Sequence, residues 1–519
     1  MSSVPLLGSR AANDGHQERR RPSWLSRLVD TEEASVQLRF SAPMILMNMF
    51  YYGIPLVSVM FSGHLGDVQL AGATLANSWV TVTGYAFVVS IFLLDLHLPS
   101  SFLHGADLFS STGRSNAFRW TFMFQIGLSG GLETLCGQAY GAGLYSRLGL
   151  YLQSSLIVSA AASALISVLW AFTEPLLLLL RQDPRVSRAA AVFARAQIPG
   201  LFAFSSMQCL LRYLQMQSVV APLVAFSAAS FALHLALACL LVGPLGLGLA
   251  GASAAVSASY WAACLALLAY VLRSGAFSET WKGFSAKAFR YVLPTVKLAA
   301  PSAVMVCLEY WAFEILVLVA GLLPNSTVST SLIAMCTNTE AIAYMITYGF
   351  SAAVSTRVSN EIGAGNVDKA KNAVKVTLKL SVLLAISFVL LLAFGHNLWA
   401  SLFSGSATII SEFGSIAPLV IISIVLDSAQ GVLSGVSRGC GWQHLAALTN
   451  LVAFYLIGMP LAILFAFKLK LYAKGLWAGM ICGLACQACS LLVITVRTKW
   501  SKIAEAMQQE KDNYGYGVA

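Results

Sequence analysis

Twelve apolar stretches run through this chain, near 38–61, 68–94, 149–173, 189–212, 219–243, 247–272, 295–323, 330–355, 373–395, 412–436, 446–467 and 475–496. Crossing the hydrocarbon core of a bilayer takes about 20 residues of helix, and every stretch is long enough. Backbone groups in lipid must bond within their own segment, so these stretches are helices; the short alternating pattern of a membrane barrel is absent. The expected fold class is an all-α polytopic membrane protein with twelve transmembrane helices. Charge content agrees: 10% of the 519 residues are charged, against about 25% in a soluble domain. That composition excludes a soluble enzyme, and its hydrophobicity excludes a disordered chain.

The formal net charge is +10. In a soluble protein this would point to nucleic acid, but here it fits basic cytoplasmic loops, and no nucleic-acid partner is expected. With the amino terminus inside, 23 of the 32 Lys and Arg fall on the cytosolic side, including Arg147, Arg212 and Arg438 at presumed loops. Both termini are therefore expected in the cytosol. Residues 1–35, with Arg19, Arg20 and Arg21 together, read as a disordered cytosolic tail. The ten cysteines lie almost entirely in apolar runs, which argues against a disulfide framework. Cys482, Cys486 and Cys489 share a helix face with no His or carboxylate beside them, so they read as packing residues rather than a metal site. No phosphate loop and no cluster with catalytic spacing occurs, so neither an ATP-driven pump nor an enzyme is expected.

The two halves repeat each other. Residues 127–143 (GLSGGLETLCGQAYGAG) align without gaps to 349–365 (GFSAAVSTRVSNEIGAG) at an offset of 222. Ser41-Ala42-Pro43 matches Ala299-Ala300-Pro301, and Gly63 matches Gly321, at an offset of 258. Asn77 matches Asn338 at 261. The amino half thus carries 36 to 39 extra residues, and a stretch of 37 at 89–125 accounts for them. The parallel repeat predicts two six-helix bundles about a central cavity. The domains are a tail at 1–35, an amino lobe at 36–273, a cytosolic linker at 274–294, a carboxyl lobe at 295–497 and a cytosolic tail at 498–519.

Five motifs, LETLCGQAYGAG at 132–143, IPGLF at 198–202, PSAVMVCLEYWAFE at 301–314, STRVSNEIGAGN at 355–366 and GVLSGVSRGCGWQ at 431–443, resemble the plant multidrug and toxic compound extrusion (MATE) family, also called the detoxification efflux carriers. The likeness runs from about 36 to 500. It implies a proton-coupled antiporter that exports organic compounds by alternating access, with the proton gradient in place of any cofactor. Small organic substrates, protons and the bilayer are the implied partners, in a monomer of the plasma or vacuolar membrane. The family pattern also isolates 89–125: without it, Gly84-Tyr85-Ala86-Phe87-Val88 runs directly into Ile126-Gly127-Leu128-Ser129. Val89 has codons beginning GT and Gln125 has the codon CAG, which are intron ends. One reading is an unspliced intron that breaks helix two and yields a transport-deficient or regulatory isoform; the other is a genuine insertion.

Proton coupling needs a membrane carboxylate whose protonation changes with its surroundings. By resemblance, Glu309 matches the family's helix-seven acid and Asp427 its helix-ten acid, and these two are the expected proton-accepting pair. Glu133 lies near the cytosolic end of helix two. Tyr310, Glu314, Asn338, Glu340, Tyr344, Asn77, Gln208 and Gln430 are candidates for the substrate cavity, with interhelical packing as the alternative role for each. Tyr344 and Tyr348 are spaced to form one aromatic wall. Pro43 and Pro301 are expected kink points. Asn325-Ser326-Thr327 is a glycosylation sequon placed outside by the topology.

Overall fold

The computed structural model describes residues 30–63, 120–179, 183–403 and 406–516. Among the described residues there are twelve long helices: α1 Thr31–Gly63, α2 Trp120–Gly141, α3 Tyr145–Ala171, α4 Pro184–Met216, α5 Ala221–Val242, α6 Gly248–Arg273, α7 Val292–Ala320, α8 Ser326–Gly363, α9 Val367–Ser401, α10 Ala407–Cys440, α11 Gln443–Lys468 and α12 Tyr472–Arg497. A further helix, α13, covers Trp500–Tyr516. No strand occurs among the described residues. The chain is an all-α polytopic membrane protein of the expected class.

Among the described residues, nine helices are both long and apolar enough to cross a membrane. The long helices outside that set are α2, α4 and α8. They carry Glu133, Arg212 and Glu340, all buried. A helix that faces the seam between two bundles need not be apolar all round, because protein rather than lipid surrounds it.

Three boundaries differ from expectation. Helix α1 begins at Thr31, so the last residues assigned to the amino-terminal tail are helical. The carboxyl-terminal tail contains α13, which is not a loose end. Its Trp500 ring meets Trp442 edge-on at 5.5 Å, Ile503 packs on the carboxyl half, and Met507 packs against the core of the amino half. An amphipathic pattern drives this: Trp500, Ile503 and Met507 fall on one side of a helix whose other residues are mostly polar. The third difference is at α2, which starts at Trp120 rather than Ile126. Phe124 and Gln125 are buried, and the Gln125 amide donates to Ser163 Oγ at 3.0 Å. The final turns of the 89–125 stretch are therefore part of the second bundle helix. Residues 89–119, and the predicted segment at 68–94, lie outside the described residues.

The repeat is visible as reciprocal contact. Gly141 abuts the backbone of Asn360, and Gly363 abuts that of Gln138. Under the offset of 222, Gln138 is equivalent to Asn360 and Gly141 to Gly363. Each contact is thus the image of the other, as an approximate twofold axis between α2 and α8 requires. Glycine is needed here because a Cβ on either residue would overlap the opposing backbone. The crossing lies at the face where α1 begins and α12 ends, called here the terminal face.

Candidate functional site: a carboxylate pair beside an aromatic cavity

A cavity of about 110 Å³ lies between the halves. Its walls come from α1 (Tyr51, Tyr52), α4 (Gln208), α7 (Tyr310) and α8 (Tyr344, Tyr348). The Tyr310 and Tyr344 rings meet edge-on at 6.1 Å, and Tyr344 and Tyr348, one turn apart, are also 6.1 Å apart. Rings arranged in this way give a mostly apolar surface with hydroxyl tips, suited to flat organic solutes. The expected aromatic wall is present. Toward the terminal face the cavity ends on Glu133, Arg212 and Arg438.

Behind the Tyr310 and Tyr344 wall sits the acid site. Glu309 and Asp427 are buried, at 8% and 4% exposure. Gln430 lies one turn below Asp427 on α10, so the helix itself brings its amide to the aspartate. That amide donates 2.7 Å to Asp427 Oδ1 and 2.8 Å to Glu309 Oε1, linking α10 to α7. The Gln430 carbonyl accepts from Ser434 Oγ at 3.1 Å. On the other side, Gln487 of α12 donates to Glu309 Oε2 at 3.3 Å and to Asn450 Oδ1 at 2.9 Å; Asn450 in turn donates to the Met305 carbonyl. Three helices, α7, α10 and α12, thus meet at the two carboxyls, and Asn450 of α11 is joined through Gln487. The two acids therefore share one amide donor in a dry interior.

The other sequence candidates separate into groups. Tyr310, Tyr344 and Gln208 line the cavity. Gln430 is the bridge of the acid pair and is absent from the cavity lining. Glu340 is buried inside the carboxyl half, where Ser423 Oγ donates to it at 2.7 Å and Trp477 Nε1 donates to the same hydroxyl. Glu314 on α7 and Asn338 on α8 are half-buried and also lie outside the cavity lining. Asn77 falls outside the described residues. Pro43 and Pro301 lie inside α1 and α7. Asn325 is exposed between α7 and α8, with a left-handed φ of 57°.

Arg212 and Arg438 correct the charge tally. Both count as loop residues in the topology reading, yet they are 3% and 4% exposed and lie within α4 and α10. The signal available in sequence was slight: Arg212 closes one apolar run and Arg438 lies two residues past another.

Ion pairs also tie the halves at the terminal face. Arg357 of α8 pairs with Glu33 of α1 at 3.2 Å and with Glu361 at 2.8 Å. Asp30, just ahead of α1, accepts from the Asn372 amide at 3.0 Å. This bond, with the backbone amides of Glu33 and Glu32, holds the Asp30 carboxyl below the ordinary aspartate value of 3.8.

Comparison with known proteins places the chain. The MatE family model matches residues 86–240 and 301–464. Protein DETOXIFICATION 18 of Arabidopsis thaliana is 50% identical over 499 residues, covering 96% of this chain and 98% of that protein. Protein DETOXIFICATION 16 of the same plant is 40% identical, covering 91% and 90%. Among solved structures, the eukaryotic MATE transporter AtDTX14 superposes with a TM-score of 0.81 at 33% identity, covering 93% of this chain and 99% of that one. A multidrug resistance MATE family transporter in an outward-facing conformation superposes at 0.73 with 17% identity, a likeness of fold.

Proposed function

Taking as premise that the chain belongs to the MatE family of extrusion transporters, membrane carriers and not enzymes, we propose that it is a proton-coupled antiporter that exports small organic compounds from the cytosol. The observation that carries the reading is the Gln430 amide joining Glu309 and Asp427 directly behind the tyrosine wall of the cavity. A solute resting on that wall is close enough to bias the protonation of the pair, and a proton on the pair changes the field the solute meets. Each ligand shifts the other's occupancy by the same coupling free energy, which is what exchange requires. In this reading the terminal face is cytosolic, and the carrier works as a monomer in the plasma or vacuolar membrane. Substrates are xenobiotics or secondary metabolites with planar, partly apolar bodies.

The test uses purified protein in liposomes with an imposed pH gradient and a fluorescent planar amine as probe solute. Probe movement should follow the gradient and collapse when an ionophore dissipates it. Asp427→Asn, which keeps the shape and the Gln430 contact but cannot bind a proton, should fold normally and lose gradient-driven movement. Unaltered movement in the folded variant would remove the acid pair from the mechanism. The 89–125 stretch enters through a second pair of proteins, with and without it. If only the shorter protein moves probe, the longer chain is a transport-deficient form.

A further inference from the structure

We propose that Glu133, Arg212 and Arg438 form an inter-lobe lock on the twofold axis that closes the cavity toward the terminal face, with Ser355 as the vacant mirror position of the acid. This rests on the antiporter reading for its purpose, but its geometry stands by itself. Glu133 is 1% exposed. Its Oε1 faces Arg212 Nε at 3.2 Å, and its Oε2 faces Arg438 Nε at 3.1 Å. Arg212 comes from the fourth helix of the amino half and Arg438 from the fourth helix of the carboxyl half. Ser355 Oγ also donates to Glu133 Oε2, at 2.6 Å.

Under the offset of 222, residue 133 is equivalent to residue 355. The acid therefore bonds to its own repeat image, as two residues do only beside the axis. A carboxylate at both positions would set two like charges together in a buried site. One acid and one hydroxyl avoid that, and still let one carboxylate hold a cation from each lobe. The surroundings keep the arginines in place. Arg212 donates to Gln215 Oε1 at 2.8 Å and to the Tyr348 hydroxyl, and Arg438 donates to Ser351 Oγ at 2.8 Å. The Tyr348 ring lies 5.6 Å from one guanidinium and 5.9 Å from the other. Below this layer, Gln138 of the amino half donates to the Gly439 carbonyl, and Asn360 of the carboxyl half donates to the Met216 carbonyl.

The physics gives two acceptable states. Closed, the charges are dry and paired, and removing one partner leaves a buried charge uncompensated. Open, the lobes part, water enters, and each charge is solvated. An apolar plug would cling in the first state and be penalised in the second. A charged lock in a water-accessible seam is balanced enough to cycle.

The mirror relation supplies the test. Met345 lines the cavity, and a Met345→Cys thiol reports access from the terminal face. A membrane-impermeant maleimide is applied to that face in oriented vesicles, and labelling of the introduced thiol is followed by mass spectrometry in the full-length chain. Glu133→Ser should label at least about tenfold faster than the parent. Adding Ser355→Glu moves the acid across the axis to the same two arginines, and labelling should return to within about twofold of the parent. Parent-like labelling in folded Glu133→Ser, or fast labelling in the folded swap, overturns the lock. Should Glu133→Ser fail to fold, the swap alone decides: a folded, protected swap supports the lock, and a swap that cannot fold overturns it. Labelling needs neither solute nor pH gradient, so failure of the proton-coupling reading and failure of the lock show up in different measurements.

Discussion

The interiors of the two halves use one scaffold for different chemistry. In the carboxyl half, α7, α10 and α12 gather Glu309, Asp427, Gln430 and Gln487 into a hydrogen-bonded group. In the amino half, the position equivalent to Glu309 under the offset of 258 is Tyr51. It is buried with Phe204 and Tyr260, whose rings lie 5.1 Å apart. An acid-and-amide cluster thus faces an aromatic one across the cavity. The difference teaches that repetition specifies where helices go without specifying the chemistry of the side chains they carry.

The largest expected effect comes from removing the acid that marks the difference. Glu309→Gln keeps hydrogen-bonding capacity at that position but cannot bind a proton. Gradient-driven flux in liposomes should fall to background while the protein remains monodisperse. Retained flux would break the comparison, because the asymmetry would then carry no coupling. Next is the reverse graft, Tyr51→Glu. It places a carboxyl among aromatic rings, without the Gln430 and Gln487 donors that Glu309 has, and should lower thermal stability by on the order of 3 kcal/mol. Nor should it rescue Glu309→Gln; rescue would mean that the halves are interchangeable as proton sites.

Gln430→Leu is the finer probe. It leaves both acids but removes the donor they share, at a cost of about 1–3 kcal/mol for the unsatisfied oxygens. The expected outcome is a shifted pH profile of flux with some transport retained. A profile identical to the parent's would show that the two acids act separately. The smallest effect lies at the terminal face. Asp30 is held below its ordinary value, so its contribution is present above that value and is lost as pH falls through the lower folded one. Asp30→Asn should therefore leave stability near neutral pH little changed, and should flatten the acid limb of a melting-temperature profile.

The readable parts of the fold were those written in local pattern. The apolar spans, the repeat and the acids Glu309 and Asp427 all appear in single segments, because lipid imposes its demand on each helix separately. The helical run of α13 was less visible, since its apolar residues become a seam only once both lobes are beside them. The start of α2 was hidden for a different reason. Residues 120–125 were grouped with the extra stretch by its length, yet Phe124 and Gln125 pack as members of the helix. The candidates for the cavity show the same limit. Tyr310, Tyr344 and Gln208 line it, whereas Gln430 and Glu340 turn to partners inside the carboxyl half. A polar residue in a membrane helix announces that it faces protein, but a single helix does not say which protein group it meets.

The sequence by itself determined that this is a membrane carrier with repeated halves and few intramembrane acids. Those properties follow from transfer of each segment into lipid and from matching strings of residues. The tertiary structure alone decided that Gln430 joins the two acids and that Arg212 and Arg438 are not loop charges. It also decided that Glu133 binds both arginines and its own repeat image. Such pairings join residues as far as 305 positions apart. They exist because burial makes an unpaired charge costly, and only the packed lobes bring the partner within reach.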